Sequence, residues 1–279
     1  MVRSLFNFFL FSSVYISLCA VMMIWQTNQL LDLEYDQTTF YLFVFFSTIC
    51  SYNFHWYLTP NTYSGSERLH WGDRHRNMML VFFVIGMLGA IYFFWQLRAH
   101  WLAVSGSVVL TFLYSAPKIP HPTFRWLSKI AIGKTLFLTG VWTYVTTLLP
   151  ALVANTPFRE SVVLLVVHRF ALIYAICILF DYRDLESDKK EGIRTLITYL
   201  DEPMLNKLYY FSLLLAAIFA GLMGPFISFP AVITLMIPVL ITALLTRKAQ
   251  HSHADYLYYF VLDGLMALSA VIHFLILLA

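Results

Sequence analysis

The chain has 279 residues, of which 60% are hydrophobic and only 12% charged. A soluble domain of this length has no interior large enough for that much apolar surface, so lipid is the solvent for most of the chain. The net charge is +3, and no basic run of the kind that grips nucleic acid occurs.

Crossing the hydrocarbon layer takes about 20 apolar residues in a helix. Runs that qualify cover roughly 4–25, 39–58, 78–97, 100–116, 130–151, 161–180, 205–223, 226–246 and 256–278. The expected fold is therefore all-α: a polytopic membrane protein of nine transmembrane helices, forming a single domain over 1–279. The first run continues to Trp25 without a convincing cleavage site and reads as a span rather than a signal peptide. Cys19, Cys50 and Cys177 fall in separate apolar runs without ligand spacing and read as packing residues.

The basic residues set an orientation. With nine spans, all of the 18 lysines and arginines except Arg98, Arg159 and Arg169 fall on one face. Positive charge accumulates on the cytoplasmic side, which puts the N-terminus in the cytoplasm. The longer loops, 59–77, 117–129 and 181–204, share that face, and chemistry is expected at those helix ends.

The last of these loops opens with "FDYRDLESDKKEGIRTL", residues 180–196. If the sixth span stays helical past Phe180, Asp181, Asp184 and Asp188 lie within about 60° of one another on one face. Carboxylates so close repel unless a cation sits among them, and Mg²⁺ commonly bridges one or two carboxylates to substrate phosphates. Arg183, Lys189, Lys190 and Arg194 supply cations for the remaining phosphate charge. The competing reading is a solvated helix end with acids and bases paired four apart. Glu186 and Lys190 fit it; the three aspartates have Leu185, Asp188 and Gly192 at that offset and do not.

This stretch resembles the second aspartate-rich motif of the UbiA superfamily of intramembrane prenyltransferases. "LYSAPKIP", residues 113–120, is similar to the same family's Tyr-Ser/Thr-x-Pro-x-Lys segment. More weakly, "LSKIAIGKTLFLTGVW", residues 127–142, is similar to its lysine-containing approach to helix five. The family's first aspartate motif, at the end of helix two, is degenerate here: Asn53 is kept, but Phe54, Tyr57 and Asn61 replace the three aspartates. Glu67 and Asp73 follow in the loop at a different spacing, and His55 beside aromatics reads as an interfacial or core residue.

The resemblance implies transfer of an isoprenoid from a prenyl diphosphate to a lipophilic acceptor, aromatic in many members, in a bacterial inner membrane with the site facing the cytoplasm. Asp181, Asp184 and Asp188 would hold Mg²⁺, with Lys118 on the diphosphate and Tyr114, Asn53, Arg183 and Arg194 around the substrate. Loss of one aspartate cluster brings in an alternative, a non-catalytic relative that binds an isoprenoid or a partner protein. A transporter is disfavoured because charges gather at helix ends rather than near the midplane. Two charges lie inside spans, Arg169 and Asp263. They would form a helix-packing pair if helices six and nine touch, or serve acceptor binding.

Overall fold

The computed structural model describes residues 2–59, 66–119, 134–191 and 200–278, and every regular element among them is helical. The first apolar run is divided into α1 (Val2–Phe11) and α2 (Val14–Leu31), where a single span over 4–25 was expected. Ser13 has a φ of 71°, in the left-handed region that no α-helix continues through. The break leaves the Ser12 carbonyl to be met from outside, and Asn53 Nδ2 donates to it at 3.0 Å.

The α3 helix (Gln37–Leu58) starts at Asp36, whose carboxylate accepts from the Thr39 backbone N–H at 3.1 Å and from its hydroxyl at 2.6 Å. A short helix, α4 (Glu67–Arg74), precedes α5 (Arg76–Gln96), and α6 covers Trp101–Ser115. The α7 helix (Lys134–Thr143) passes through a π turn at Tyr144–Leu148 into α8 (Leu149–Val153). Pro150 has no N–H to give the carbonyl four residues back, and Thr27 Oγ1 donates to that Thr146 oxygen at 2.8 Å instead. Then follow α9 (Glu160–Glu191), α10 (Glu202–Leu222) and α11 (Phe229–Gln250). A second π turn at Leu257–Leu262 leads into α12 (Asp263–Leu278).

Among the described residues, 7 helices are long and apolar enough to cross a membrane. These make the chain an integral membrane protein. Outside that set, α3 has 22 residues but carries Ser47, Thr48, Ser51, Asn53 and His55, and α6 has only 15 residues. The α9 helix is the centre of the bundle, with 78% of its apolar window buried, whereas α5 has 11% and turns most of its surface to lipid. The α3 and α5 backbones touch at Gly86, where a β-carbon would stand 2.6 Å from the Cys50 nitrogen.

The expected Arg169–Asp263 pair is not formed. Arg169 Nη2 donates to the Met23 carbonyl at 3.1 Å and to Gln26 Oε1 at 2.9 Å. Gln26 Nε2 donates in turn to Ser269 Oγ on α12 at 2.7 Å. A glutamine from α2 therefore occupies the space between α9 and α12, and neutral oxygens solvate the arginine where a carboxylate was anticipated.

Candidate functional site

The α9 helix continues without a break past Phe180, which puts Asp181 and Asp184 one turn apart on the same face. Asp181 is buried and its Oδ2 accepts from Thr135 Oγ1, in the first turn of α7, at 2.6 Å. Asp184 is gripped by the fork of Arg183, with Nε–Oδ1 at 2.7 Å and Nη2–Oδ2 at 3.2 Å. The same guanidinium lies 5.1, 4.9 and 4.6 Å from the ring centres of Phe180, Tyr258 and Tyr259. At Asp188 the backbone is still helical, but its side chain lies outside the described residues, as does Arg194.

These groups close one end of a cavity of about 2060 Å³. That is roughly twice the upper end of ordinary small-molecule pockets, about 1000 Å³. Its walls are apolar and aromatic, with Phe43, Phe94, Phe137 and Trp142 among them. Its polar end carries Asp181, Arg183, Asp184, Lys118, Arg68 and Asp255.

Lys118 and Tyr114 both line this chamber. Lys118 Nζ donates to Thr59 Oγ1 and lies 5.7 Å from the Trp56 ring centre. Tyr114 stacks on His55 at 5.2 Å. Asn53 does not join them. It is fully buried off the cavity, where Nδ2 donates to the Ser12 and Ile49 carbonyls, so its amide closes the α1–α2 break where substrate contact was anticipated.

At the end of α3, the places of the missing aspartates are taken by packing. Phe54 stacks on Phe83 at 5.3 Å, and Arg76 sits 4.5 Å over Tyr57. Asn61 lies outside the described residues. Glu67 turns to Arg3 and to the Tyr256 hydroxyl.

What α4 contributes instead is a cation. Arg68 is 3% exposed, with its guanidinium 4.4 Å over Trp56 and flanked by Phe11 and Trp71. Its backbone N–H donates to Asp255 Oδ2 at 2.9 Å, and Ser66 Oγ donates to the same oxygen at 3.0 Å. Burial pushes the Arg68 guanidinium below the ordinary arginine range, against the pull of Tyr259 and Asp255. Arg68 Nη1 and Arg183 Nη1 are both buried with no hydrogen-bond partner among the described residues. Two such donors at one end of a cavity are the arrangement an incoming oxyanion satisfies.

Sequence reasoning missed Arg68, Asp255, Thr135 and Thr59. The one local signal was Ser66, a capping residue ahead of "ERLHW" whose hydroxyl accepts from Leu69 N–H. Nothing local in the sequence links Arg68 to Asp255.

Asp181 and Asp184 are hard oxygen donors of the type Mg²⁺ takes one or two of, filling its remaining positions with water and phosphate oxygens. Among the described residues no group of three metal-ligating side chains forms, and the side chain of Asp188 lies outside them.

A helical membrane bundle around a large, mostly apolar chamber, with carboxylates and cations among its lining, defines the class of the fold: an integral membrane protein with a deep internal cavity. Residues 74–268 match the UbiA prenyltransferase family, more than half of the chain, and the protein belongs to that family. The matched region contains Lys118 and the Asp181–Asp188 stretch and starts beyond α3, the helix whose aspartates are replaced. A solved structure reported for digeranylgeranylglyceryl phosphate synthase in membranes is similar in fold, with a TM-score of 0.58, 98% of each chain covered and 16% identity. No curated protein matches the chain.

Proposed function

We propose that the protein is a prenyltransferase that moves an isoprenoid from a prenyl diphosphate to a lipophilic acceptor, using one aspartate cluster and a set of basic side chains. The observation that carries this reading is the pair of buried, unpartnered guanidinium nitrogens of Arg68 and Arg183 beside Asp181 and Asp184. Asp181 and Asp184, with Asp188 from the next turn, would hold Mg²⁺. Bound there, the ion supplies Lewis-acid neutralisation of charge building on the diphosphate. Lys118, Arg183 and Arg68 take the remaining diphosphate oxygens, with Arg68 covering the side that α3 leaves without carboxylates. Donors fixed before the allylic C–O bond breaks cost little reorganisation and act strongly in a low-dielectric site. The isoprenoid tail lies along the aromatic walls, and Tyr114 stacked on His55 presents a ring face near the ionising carbon.

In this reading α3 and α6 also cross the bilayer, which gives nine spans with a cytoplasmic N-terminus. The polar end then faces the cytoplasm of a bacterial inner membrane, where soluble diphosphate is released. A second reading, binding without turnover, is favoured by Phe54 and Tyr57, whose packing leaves no carboxylate on α3 for another metal.

The test is Mg²⁺-dependent thermal stabilisation of the purified protein by prenyl diphosphates of several lengths. The double variant Asp181→Asn, Asp184→Asn is expected to abolish it, and unchanged stabilisation would sink the site assignment. Release of diphosphate with an acceptor present separates the enzyme from the binding protein.

A further inference from the structure

The α5 helix carries an apolar stripe, Phe83, Met87, Ala90 and Phe94, at the spacing that places side chains on one face. Such a stripe is ordinarily the seam by which one helix packs against another. Here it lines the cavity instead. The neighbouring face of α5 explains why. Gly86 meets the Cys50 backbone and Gly89 meets the Phe46 ring, so α5 is drawn onto α3 through its glycines. The next helix, α6, packs on α3 and α7, and Tyr144 Oη donates to its Ala103 carbonyl at 2.8 Å. Between α5 and α6 runs only the short turn Arg98–His100, and beyond it the two helices scarcely touch.

The side chains beside this gap face two ways. Ile91 on α5 is 60% exposed and Val108 on α6 is 48% exposed, yet both also line the cavity. Met87, one turn before Ile91, and Phe112, one turn after Val108, share that double exposure. Residues that meet lipid on one side and the chamber on the other stand at an opening. The seam between α2 and α12 is closed by comparison. Tyr15 Oη donates to the Phe260 carbonyl at 2.7 Å, Gln26 Nε2 donates to Ser269 Oγ at 2.7 Å, and Trp25 packs edge-on against Phe274.

We propose that the gap between α5 and α6 is a lateral doorway, through which a long-chain apolar molecule passes from the bilayer into the chamber without entering water. Taking such a chain out of lipid into water costs about 0.8 kcal/mol per CH₂, a barrier that grows with every carbon. Sideways passage keeps the chain in apolar surroundings throughout. The ligand class is therefore molecules dissolved in the bilayer by a long apolar chain, isoprenoid alcohols among them. The doorway is independent of the prenyltransferase reading, because it concerns the route into the chamber and not a reaction there. A doorway is a path rather than a binding site, so narrowing it raises one barrier for entry and exit alike and leaves the equilibrium unchanged.

The experiment uses the full-length protein in lipid nanodiscs loaded with tritiated farnesol. Exchange against unlabelled farnesol gives the off-rate, and equilibrium partition gives the affinity. The double variant Ala90→Phe, Val108→Phe fills the gap from both sides. It is expected to slow exchange about tenfold or more while affinity stays within about twofold of wild type. Met87→Ala with Ile91→Ala tests the same path without added bulk, and faster exchange is expected. Leu88→Phe lies on the lipid face of α5, outside the cavity lining, and is expected to change neither quantity. Wild-type exchange rates in both gap variants overturn the inference, as does equal slowing by Leu88→Phe or a wild type that takes up no farnesol. A loss of affinity that matches the change in rate makes the gap a binding wall and also overturns the doorway. Diphosphate release plays no part in these readouts, so the result stands whether or not the protein transfers prenyl groups.

Discussion

Replacing Arg68 with Met separates ligand binding from folding. In the unliganded protein the guanidinium has a nitrogen buried without a partner, and its favourable contact is the Trp56 face at 4.4 Å. Such a cation–π contact is worth about 0.5–2 kcal/mol. Methionine returns about 0.3–1.5 kcal/mol through sulfur–aromatic contacts with the same rings. The link from α4 to Asp255 runs through the backbone N–H and the Ser66 hydroxyl, so it survives the substitution. Stability should therefore change by no more than about 1 kcal/mol, a small shift in melting temperature. Ligand binding should change far more. A hydrogen bond from a charged donor contributes about 1.5–3 kcal/mol. At about 1.4 kcal/mol per factor of ten, farnesyl diphosphate should bind Arg68→Met about 10- to 100-fold more weakly. Farnesol, which has no diphosphate, should bind both proteins alike. Isothermal titration in nanodiscs measures both ligands, and a scanning melt checks stability. Undiminished farnesyl diphosphate affinity, or an equal loss for farnesol, would refute the assignment of Arg68 to the diphosphate and leave it a purely structural plug among aromatics.

Gly86→Val forces a side chain into the 2.6 Å gap to the Cys50 backbone, and overpacking of that kind costs about 1–3 kcal/mol. A lowered melting temperature is expected; an unchanged one means α3 and α5 do not pack this closely. Gln26→Leu takes the side-chain acceptor from buried Arg169 and should destabilise the bundle by about 1–3 kcal/mol, with the Met23 carbonyl left as its remaining acceptor. Wild-type stability in that variant would show that Gln26 is not the arginine's partner. Asp255→Ala removes the acceptor of the Arg68 N–H and the Ser66 hydroxyl, so amide exchange across Glu67–Arg74 should accelerate while α9 stays protected. Unaltered exchange in α4 would show that the aspartate does not anchor it.

The apolar runs fall on helices, the first of them divided in two, because lipid enforces a simple rule: backbone groups in hydrocarbon must bond within their own helix. The Asp181–Asp184 face was legible for a related reason, since spacing translates into direction once the chain is known to be helical. What escaped the sequence depended on contacts between distant segments. Ser12 and Ser13 look like ordinary polar residues in an apolar run, and the break there is made tolerable by Asn53, 41 residues away. Arg68 reads as a solvated loop charge until α4 folds over Phe11, Trp56 and Trp71 and Asp255 bonds its N–H from 187 residues away. Asn53 shows the same limit: its place in a motif suggests substrate, whereas its amide nitrogen donates to the Ser12 and Ile49 carbonyls beside the helix break. Arg169 and Asp263 share the charge pattern of a pair, and Gln26, uncharged and on another helix, took the arginine.

The central claim is that one aspartate cluster backed by arginines and a lysine suffices for prenyl transfer. Diphosphate release from farnesyl diphosphate, measured with Mg²⁺ and a phenolic acceptor in nanodiscs, tests it most directly. The account predicts release that needs both Mg²⁺ and acceptor and that disappears in the Asp181→Asn, Asp184→Asn double variant. Tight Mg²⁺-dependent binding of farnesyl diphosphate with no release across phenolic acceptors would contradict it and identify the protein as a binder that has kept the fold without the reaction.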